Sequence, residues 1–332
     1  MNMPLPFIAL FRGGYTGESV ISQKSAQTMM DAIDTGRYNA VFITVQRGAW
    51  TCERPDGTPV PFDRAACTAD RGHGHEPFAA ALIAIHGTPG EDGKLQGYLD
   101  MLGIPYQTGG VLNMALTMSK FSTTGLLRQL GFPVSRSIRV HRQQPGLEQA
   151  VLREVGLPCF VKPDTSGSSL GISKVKTADE LAPALALAFA EDDLVMCEAA
   201  VTGRELTCGV FLHNGQVRAL PVCEIRTSHE FFNYEAKYHA ADTQELVPAP
   251  IPDPIATLVQ QRSEAIYHAL NCRGLVRIDH FWQEGQGDGQ QVVTIEVNTV
   301  PGFTPVSIFP RMLKAAGITV EEAVNGMVAG ML

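Results

Sequence analysis

"CFVKPDTSGSSLGISKVK" at residues 159–176 places Lys162 near the end of an apolar run, just before a stretch rich in glycine and serine. In a P-loop the lysine follows the glycines at the start of a helix, whereas Lys162 precedes Gly167. Pro163 favours an extended backbone at Lys162, and the loop after it offers N–H groups and hydroxyls to an anion. The stretch therefore predicts a strand lysine followed by a glycine loop that closes over phosphates. A surface turn with a solvated lysine is the alternative.

The composition indicates a globular protein that acts on a small molecule. The chain has 332 residues, 45% of them hydrophobic and 18% charged, a length that suits two or three domains. Its formal net charge is -8, and its lysines and arginines do not cluster. We therefore expect neither a nucleic-acid partner nor an anionic membrane surface, since binding to either needs clustered cations.

The cysteines and the N-terminus favour a cytoplasmic location. The seven cysteines are scattered and form no C-x-x-C pair, which argues against a disulfide framework or a zinc ribbon. The N-terminus lacks the basic region and cleavage site of a signal peptide, and no apolar run is long enough to span a bilayer. We expect reduced thiols and no membrane anchor.

Residues 1–115 are predicted to form an α/β domain. Residues 6–34 read as a buried strand, a glycine-rich turn and an amphipathic helix, and residues 39–46 as a second strand. Residues 79–103 again read as strand, glycine loop and helix. Strands that alternate with helices indicate a parallel sheet, with ligand-binding loops at the carboxyl ends of its strands.

The rest of the chain is predicted to form two α+β units, residues 116–204 and 205–332. The first alternates short strands with helices. The second is richer in strands, with a hairpin around Asn214 and Gly215 and a longer hairpin across residues 275–298. The polar segment 227–247 between the hairpins is too long for an ordinary connection, which predicts a lid loop.

The longer hairpin contains a candidate metal site. Alternation places Arg277 and Asp279 on one face of their strand, and Glu296 and Asn298 on one face of the next. Three oxygen ligands can thus converge across an antiparallel pair, a donor set that suits Mg²⁺ together with water and nucleotide phosphate. A solvent-facing strand pair is the alternative reading of this pattern.

Two histidine-containing motifs carry less information on their own. The segment HGTPGEDG at residues 86–93 misses a Walker motif, although its glycines suit the close approach of a ligand. His86 fits either a ligand contact or a structural role at the end of a strand. His73 and His75 are spaced for metal chelation, but a solvated loop is the commoner setting for such a pair.

The motifs taken together resemble those of one family, the D-alanine–D-alanine ligases of the ATP-grasp superfamily. The match runs from about residue 7 to about residue 325. It implies an N-terminal parallel α/β (pre-ATP-grasp) domain, followed by a two-domain ATP-grasp fold that holds ATP between its halves. The matching segments, in chain order, are GGYTGES, IHGTPGEDGKLQGYLDMLGIPY, MSK, VKPDTSGSSLG, NYEAKY, VRID and IEVNTVPGFTPVS.

The resemblance implies a nucleotide site and a metal site. Glu198 matches a partner of the adenine amino group and Glu205 a partner of the ribose. Ala199 is small where many members of the family are bulky or basic, so stacking on adenine falls to Phe231 or Phe281. The implied ATP ligands are Lys120, Lys162, Glu198, Ala199, Val201, Glu205 and Lys237. The implied ligands of two Mg²⁺ ions, with Mn²⁺ as a substitute, are Asp279, Glu296 and Asn298.

The resemblance also implies two amino-acid sites. Glu18 matches the carboxylate that pairs with the ammonium group of the first D-alanine, and His86 lies where the carboxylate of that substrate would be. Ser168 and Tyr238 match residues that join Glu18 in a hydrogen-bond network under the lid. The residues implied at the oxyanion are Arg277 and Gly302, and those at the carboxylate of the second D-alanine are Ser307 and Ile308.

The activity implied is the ATP-dependent ligation of two D-alanines through an acyl phosphate, releasing ADP and phosphate, for peptidoglycan precursor synthesis by a homodimer. One alternative is another ATP-grasp ligase that uses a different amino or hydroxy acid, of the D-Ala-D-Ser, D-Ala-D-Lac or natural-product type. Another is a nucleotide-binding protein without activity. Asp279 and Glu296 argue against the last, because a silent relative is expected to lose its metal carboxylates.

Overall fold

The computed structural model describes residues 4–167, 170–227, 243–285 and 292–332. Its first part alternates strands and helices as predicted, and adds short strands between residues 49 and 77. The elements in chain order are β1 (Phe7–Gly13), α1 (Ser19–Ala32), β2 (Asn39–Gln46), β3 (Ala49–Glu53), β4 (Pro59–Val60), β5 (Phe62–Asp63), β6 (Thr68–Asp70), β7 (His75–Pro77), β8 (Ala80–Ile83), α2 (Lys94–Met101) and α3 (Val111–Met118).

The first sheet is parallel at its centre and antiparallel at one edge, in the order β4-β3-β2-β1-β8. β1 pairs in parallel with β2 and β8, which confirms the predicted parallel arrangement of these strands. β3 and β4 were not predicted, and they add antiparallel pairs. Arg47 and Gly48 close a tight turn, with Gly48 at φ 89°, so the chain returns beside β2 instead of crossing over. A separate small sheet has the order β5-β6-β7.

The middle part of the chain forms an antiparallel sheet in the order β11-β10-β12-β9. Cys159 and Val161 of β10 pack into an apolar core with helices α5 and α6, so alternation turns Phe160 and Lys162 to the opposite face. The elements are α4 (Lys120–Gln129), β9 (Ser137–His141), α5 (Leu147–Glu154), β10 (Cys159–Pro163), β11 (Ser173–Val175), a 3₁₀ turn (Ala178–Glu180), α6 (Leu181–Glu191) and β12 (Leu194–Ala199).

The last part of the chain forms a sheet in the order β16-β15-β13-β17-β18, with β14 paired to β13. Both predicted hairpins are confirmed: β13 pairs with β14 around Asn214 and Gly215, which have φ of 51° and 77°, and β17 pairs with β18. The elements are β13 (Arg204–His213), β14 (Gln216–Ala219), β15 (Cys223–Arg226), β16 (Gln244–Leu246), α7 (Asp253–Ala269), β17 (Val276–Trp282), β18 (Val292–Asn298), α8 (Ile308–Ala315) and α9 (Val320–Ala329).

One buried apolar cluster joins the two ends of the chain. Leu10 of β1 and Phe42 of β2 share this cluster with Phe309 of α8 and Val324 of α9. Burying such side chains stabilises the contact by about 2 kcal/mol each. The N-terminal sheet and the C-terminal helices are therefore packed together, which fixes the loops after β8 and β18 relative to each other. The predicted division at residues 115 and 204 stays a prediction.

Candidate active site

A cavity of about 820 Å³ is lined by residues of the second and third large sheets, together with helix α1 and the loops that follow the strands. This volume lies within the range usual for small-molecule sites. Every predicted site residue that the structure describes lines the cavity, while the role of each remains a prediction. These residues are Glu18, His86, Lys120, Lys162, Glu198, Ala199, Val201, Glu205, Arg277, Asp279, Phe281, Glu296, Asn298, Gly302, Ser307 and Ile308.

Four predicted site residues, Ser168, Phe231, Lys237 and Tyr238, lie outside the described residues. Most of the predicted lid, 227–247, lies outside them too. Its C-terminal end is described as strand β16, which pairs with β15. The assignments of these four residues therefore rest on the family resemblance alone.

A buried ion pair lies where the nucleotide is predicted to bind. Lys162 Nζ donates to Glu198 Oε1 at 2.5 Å, and each side chain is no more than 7% exposed. Glu198 Oε2 is buried and accepts no hydrogen bond from any described residue. A buried acceptor without a donor marks a place for a ligand donor such as an amino group. The backbone N–H and carbonyl of Ala199 instead bond within the protein, to Arg136 O and Ser135 Oγ.

Asp164, which sequence analysis did not identify, holds the start of α4 against the end of β10. Its fully buried carboxylate accepts hydrogen bonds from the Phe121 N–H at 2.8 Å and from Ser119 Oγ at 2.7 Å. The Lys120 N–H in turn donates to the Asp164 carbonyl at 3.1 Å. A carboxylate at a helix N-terminus is favoured by the helix dipole as well as by these donors. Asp164 therefore fixes Lys120 and Lys162 relative to each other.

Lys120 bridges the glycine loop and the predicted metal site. Its ammonium donates to the carbonyl oxygen of Ser166 at 2.6 Å and lies 3.4 Å from Glu296 Oε1. The side chain is 9% exposed, so the charge is largely removed from water. A cation in this position can neutralise phosphate oxygens that lie between the loop and the carboxylate.

The register of β17 and β18 brings the predicted metal ligands together. Arg277 pairs with Asn298 and Asp279 with Glu296, so the two faces that alternation predicted lie opposite each other. Asp279 accepts two bonds from Arg277 at 3.0 Å, one from Asn298 Nδ2 at 2.9 Å and one from Thr207 Oγ1 at 2.5 Å. The carboxylate is thus held rigidly, with the Arg277 guanidinium along one edge.

The donor set of this cluster fits a hard divalent cation. Two carboxylates and one amide oxygen lie on neighbouring strands, which is the oxygen-rich chemistry that Mg²⁺ and Mn²⁺ prefer. Within the described ranges, no three His, Cys, Asp or Glu side chains lie close enough together to hold one metal ion. The amide of Asn298 is therefore needed to complete a three-ligand set with Asp279 and Glu296.

Arg277 remains charged at every pH relevant to the protein. Burial alone would lower its pKa, but the carboxylates of Asp279, Glu296 and Glu91 raise the pKa above the ordinary arginine value. Its guanidinium is a fixed positive charge beside the predicted reaction centre. Such a charge can stabilise an oxyanion without reorganisation during the reaction.

Glu18 and the glycine loop meet at the predicted site of the first amino acid. Glu18 occupies the N-cap position of α1, and its backbone N–H donates to Thr16 Oγ1 at 3.3 Å. A Cβ built on Gly167 would lie only 2.7 Å from Glu18 Oε2. A side chain at this position would require either the loop or the Glu18 carboxylate to shift. The loop after Lys162 therefore reaches Glu18 directly.

His86 is bonded at both ring nitrogens within the protein. Nδ1 lies 2.8 Å from the Val300 carbonyl oxygen, and Nε2 lies 3.3 Å from Ser25 Oγ. Because a carbonyl only accepts, Nδ1 carries a hydrogen. Ser25 Oγ accepts the Phe303 N–H at 3.1 Å and can donate its own hydrogen to Nε2. Burial lowers the pKa of His86 despite the nearby Glu18, so the ring is neutral.

Glu91 lines the cavity, although sequence analysis gave it no role. One carboxylate oxygen accepts the Gly87 N–H at 2.7 Å and the other accepts the Val300 N–H at 3.0 Å. Burial, supported by the Glu18 and Glu296 carboxylates, raises its pKa to about 7. A carboxyl with a raised pKa in a cleft is a feature of functional sites.

The start of α8 provides the predicted site for a second carboxylate. Ser307 is the N-cap residue, and Ile308 is the first residue of the helix. The Ser307 hydroxyl accepts the Thr304 N–H at 3.0 Å, and a Cβ on Gly302 would lie 3.2 Å from it. Helix N-termini attract anions through their dipole and their unpaired N–H groups.

Two family models match most of the chain. Residues 7–109 match the model described as "D-ala D-ala ligase N-terminus", and residues 126–329 match "D-ala D-ala ligase C-terminus". A D-alanine–D-alanine ligase from Bacteroides fragilis is 39% identical over 321 residues, which cover 97% of this chain and 98% of the relative. A D-alanine–D-alanine ligase from Porphyromonas gingivalis is 39% identical over 322 residues, covering 96% of each.

Solved structures of similar fold also carry ligase names. The VanG D-Ala:D-Ser ligase from Enterococcus faecalis superposes with a TM-score of 0.87 at 29% identity, covering 99% of this chain and 100% of that one. D-alanyl-alanine synthetase A from Vibrio cholerae gives a TM-score of 0.87 at 29% identity, covering 99% of each chain. These neighbours confirm the expected ATP-grasp architecture with an N-terminal domain. The chain belongs to the D-alanine–D-alanine ligase family.

Proposed function

We propose that the protein ligates two D-alanines at the expense of ATP, forming D-alanyl-D-alanine for peptidoglycan precursor synthesis. The observation that carries this proposal is one cavity that holds two buried lysines, a paired set of carboxylates and a partly buried arginine. Near-full-length relatives that are named D-alanine–D-alanine ligases support the same reaction. ADP and phosphate are the other products.

The first step transfers the γ-phosphoryl group of ATP to the carboxylate of the first D-alanine. Glu198 Oε2 accepts the adenine amino group, and Lys120 and Lys162 hold the phosphates. Magnesium bound by Asp279, Glu296 and Asn298 would offset the negative charge on the phosphoryl oxygens. The product is an acyl phosphate and ADP. Further assignments, Glu205 at the ribose, Phe281 or Phe231 at adenine and Lys237 at the phosphate, rest on the resemblance.

In the second step the neutral amine of the other D-alanine attacks the acyl carbonyl, and phosphate leaves. Glu18 holds the ammonium of the first substrate, and the N-terminus of α8 at Ser307 holds the carboxylate of the second. Arg277 and the Gly302 N–H stabilise the tetrahedral oxyanion, where losing one donor typically costs about 3 kcal/mol. Ser168 and Tyr238 complete the network around Glu18 by resemblance alone.

Three further expectations concern the metal ions, the oligomeric state and the cellular location. Two magnesium ions, or manganese in their place, are proposed from the donor set and the resemblance. The homodimer is proposed from the resemblance and can be checked by light scattering during gel filtration. We place the enzyme in the cytoplasm because its substrate is ATP and all seven cysteines are free thiols. Among the helices of the described residues, none has the length and apolar character to cross a membrane.

The reaction is tested by incubating the purified protein with ATP, MgCl₂ and millimolar D-alanine. We expect ADP release that depends on D-alanine, and a D-alanyl-D-alanine mass in the product. Ligation of D-serine or D-lactate in preference to a second D-alanine would replace the proposal by the corresponding alternative. No ADP release that depends on D-alanine would refute it.

A pair of variants separates loss of metal binding from general damage. Glu296→Gln should abolish dipeptide formation, because a neutral amide replaces a carboxylate of the metal set. Glu321→Gln makes the same chemical change on the exposed first turn of α9 and should behave as wild type. Full activity in Glu296→Gln would overturn the metal assignment.

A further inference from the structure

The turn at residues 299–303 is held in place by side chains from the beginning of the chain. This turn follows β18 and contains Gly302. The Val300 N–H donates to Glu91, and the Val300 carbonyl accepts from His86 Nδ1, at 3.0 and 2.8 Å. Both polar groups of the Val300 backbone are thus bound by side chains of the loop 86–91. Neither bond comes from β17, the strand beside β18.

A third contact lies on the other side of Gly302. The Phe303 N–H donates at 3.1 Å to Ser25 Oγ, which belongs to α1 and has no exposed surface. Ser25 Oγ also lies 3.3 Å from His86 Nε2, so this contact is coupled to the first two. Gly302 is therefore bracketed by anchored neighbours on both sides.

The Gly302 N–H differs from those of its neighbours. Val300, Phe303 and Thr304 all donate their N–H groups to side chains. Among the residues that the structure describes, no acceptor is paired with the N–H of Gly302, although Gly302 lines the cavity. Holding the neighbours while leaving one donor open is what an oxyanion contact requires.

Glu91 is the residue on which this arrangement depends most directly. Its second oxygen accepts the N–H of Gly87, the residue after His86, so one carboxylate fixes both the turn and the loop that carries His86. The turn and the loop are far apart in sequence and come from opposite ends of the chain. The apolar packing of the two ends brings them together, and this carboxylate and His86 then join them directly by hydrogen bonds.

We propose that Glu91 is a positioning residue that holds the 299–303 turn so that the Gly302 N–H faces the reacting carbonyl. Ser25 and His86 assist it from the other side of the turn. This inference rests on the proposed function for the oxyanion, but the anchoring of the turn is a property of the protein without substrate. The two can therefore be tested separately.

The anchoring is tested by hydrogen exchange of the amides in residues 299–304, without substrate. Glu91→Gln keeps the shape of the side chain but places an amide group where a carboxylate oxygen accepted an N–H. We expect exchange in this segment to become about tenfold faster, as for loss of a hydrogen bond to a charged group. Asp92→Asn, in the same loop, pairs with Lys94 instead and should exchange as wild type. Equal exchange in Glu91→Gln and wild type would overturn the proposal.

The catalytic consequence is tested by steady-state kinetics of the same variants. Misplacing an oxyanion donor affects the transition state more than the bound nucleotide, so kcat should fall about ten- to hundredfold in Glu91→Gln with KM for ATP unchanged. Rates are divided by the number of ADP-binding sites. If Glu91 had a purely structural role, its replacement would lower the number of intact sites but would leave the turnover of each site unchanged. Wild-type turnover per site would refute the positioning role. If the wild-type protein forms no dipeptide, the proposed function fails, and the exchange experiment still decides the anchoring.

Discussion

Gly167 lies so close to Glu18 that a side chain at this position must displace one of the two. A Cβ on Gly167 would lie 2.7 Å from Glu18 Oε2 and 3.3 Å from Oε1. Ordinary contact begins at 3.4 Å, so the shortest distance falls about 0.7 Å below it. A misplacement of about 1 Å near a reacting group can cost about a hundredfold in rate. We expect Gly167→Ala to lower kcat/KM for D-alanine about ten- to hundredfold.

The assay is ADP release with D-alanine varied at saturating ATP, and then with ATP varied at saturating D-alanine. KM for ATP should not change, since the Lys162–Glu198 pair is not part of the contact. Gly17→Ala is the matched control, because it adds the same methyl group next to Glu18 where no atom beyond the two neighbouring residues lies within 4 Å. Wild-type kinetics in Gly167→Ala, or the same loss in both variants, would refute the reasoning.

Three further predictions concern stability, measured by urea unfolding. Lys162→Met should lower the free energy of unfolding by about 3 kcal/mol, because it leaves the Glu198 carboxylate buried without its partner. Adding Glu198→Gln to this variant should recover most of the loss, and additive losses from the two changes would contradict this coupling. Burial raises the pKa of Glu91 from the ordinary 4.5 to about 7 in the folded protein. The folded state therefore holds the carboxyl proton more tightly than the unfolded chain does, and the wild-type protein loses stability as the pH rises from 4.5 to about 7. Because glutamine does not ionise, the free energy of unfolding of Glu91→Gln should rise relative to wild type by up to about 3 kcal/mol between about pH 5 and about pH 8. Parallel plots of unfolding free energy against pH for the two proteins would disprove this. Gly125→Ala in α4, where an added Cβ meets no atom within 4 Å, should stabilise the protein by about 0.5–1 kcal/mol, and an unchanged or lower midpoint would count against this.

Local patterns predicted the strands that carry the carboxylates proposed to bind metal. Alternation alone placed Arg277 with Asp279 and Glu296 with Asn298, and a hairpin brings such faces together without help from the rest of the chain. The β-bulge between Asp279 and His280 was not predictable, because the pattern on either side of it is that of a regular strand. The bulge lies beside the carboxylates and redirects the strand that carries them.

Contacts between distant parts of the chain could not be predicted in the same way. Glu91 meets Val300 across 209 residues, and Asp164 meets Phe121 across 43. Periodicity within a short window carries no information about such pairs. The one local signal was the position of each carboxylate next to a motif already considered as a ligand site. Glu91 lies in a glycine loop after a buried strand, and Asp164 follows Lys162 and Pro163.

The two expectations for Glu91→Gln have opposite signs, and the opposition is informative. Above its pKa the Glu91 carboxylate is a buried charge that also lies near the charges of Glu18 and Glu296, and both effects destabilise the fold. If Glu91 had only a structural role, removing its charge would stabilise the protein. Turnover per site would then be unchanged or would rise together with stability. A variant that is more stable at high pH yet slower per site shows instead that the repulsion is retained for the placement of the Gly302 N–H. Strain of this kind collects at active sites, where a fixed arrangement of dipoles lowers the barrier of the reaction.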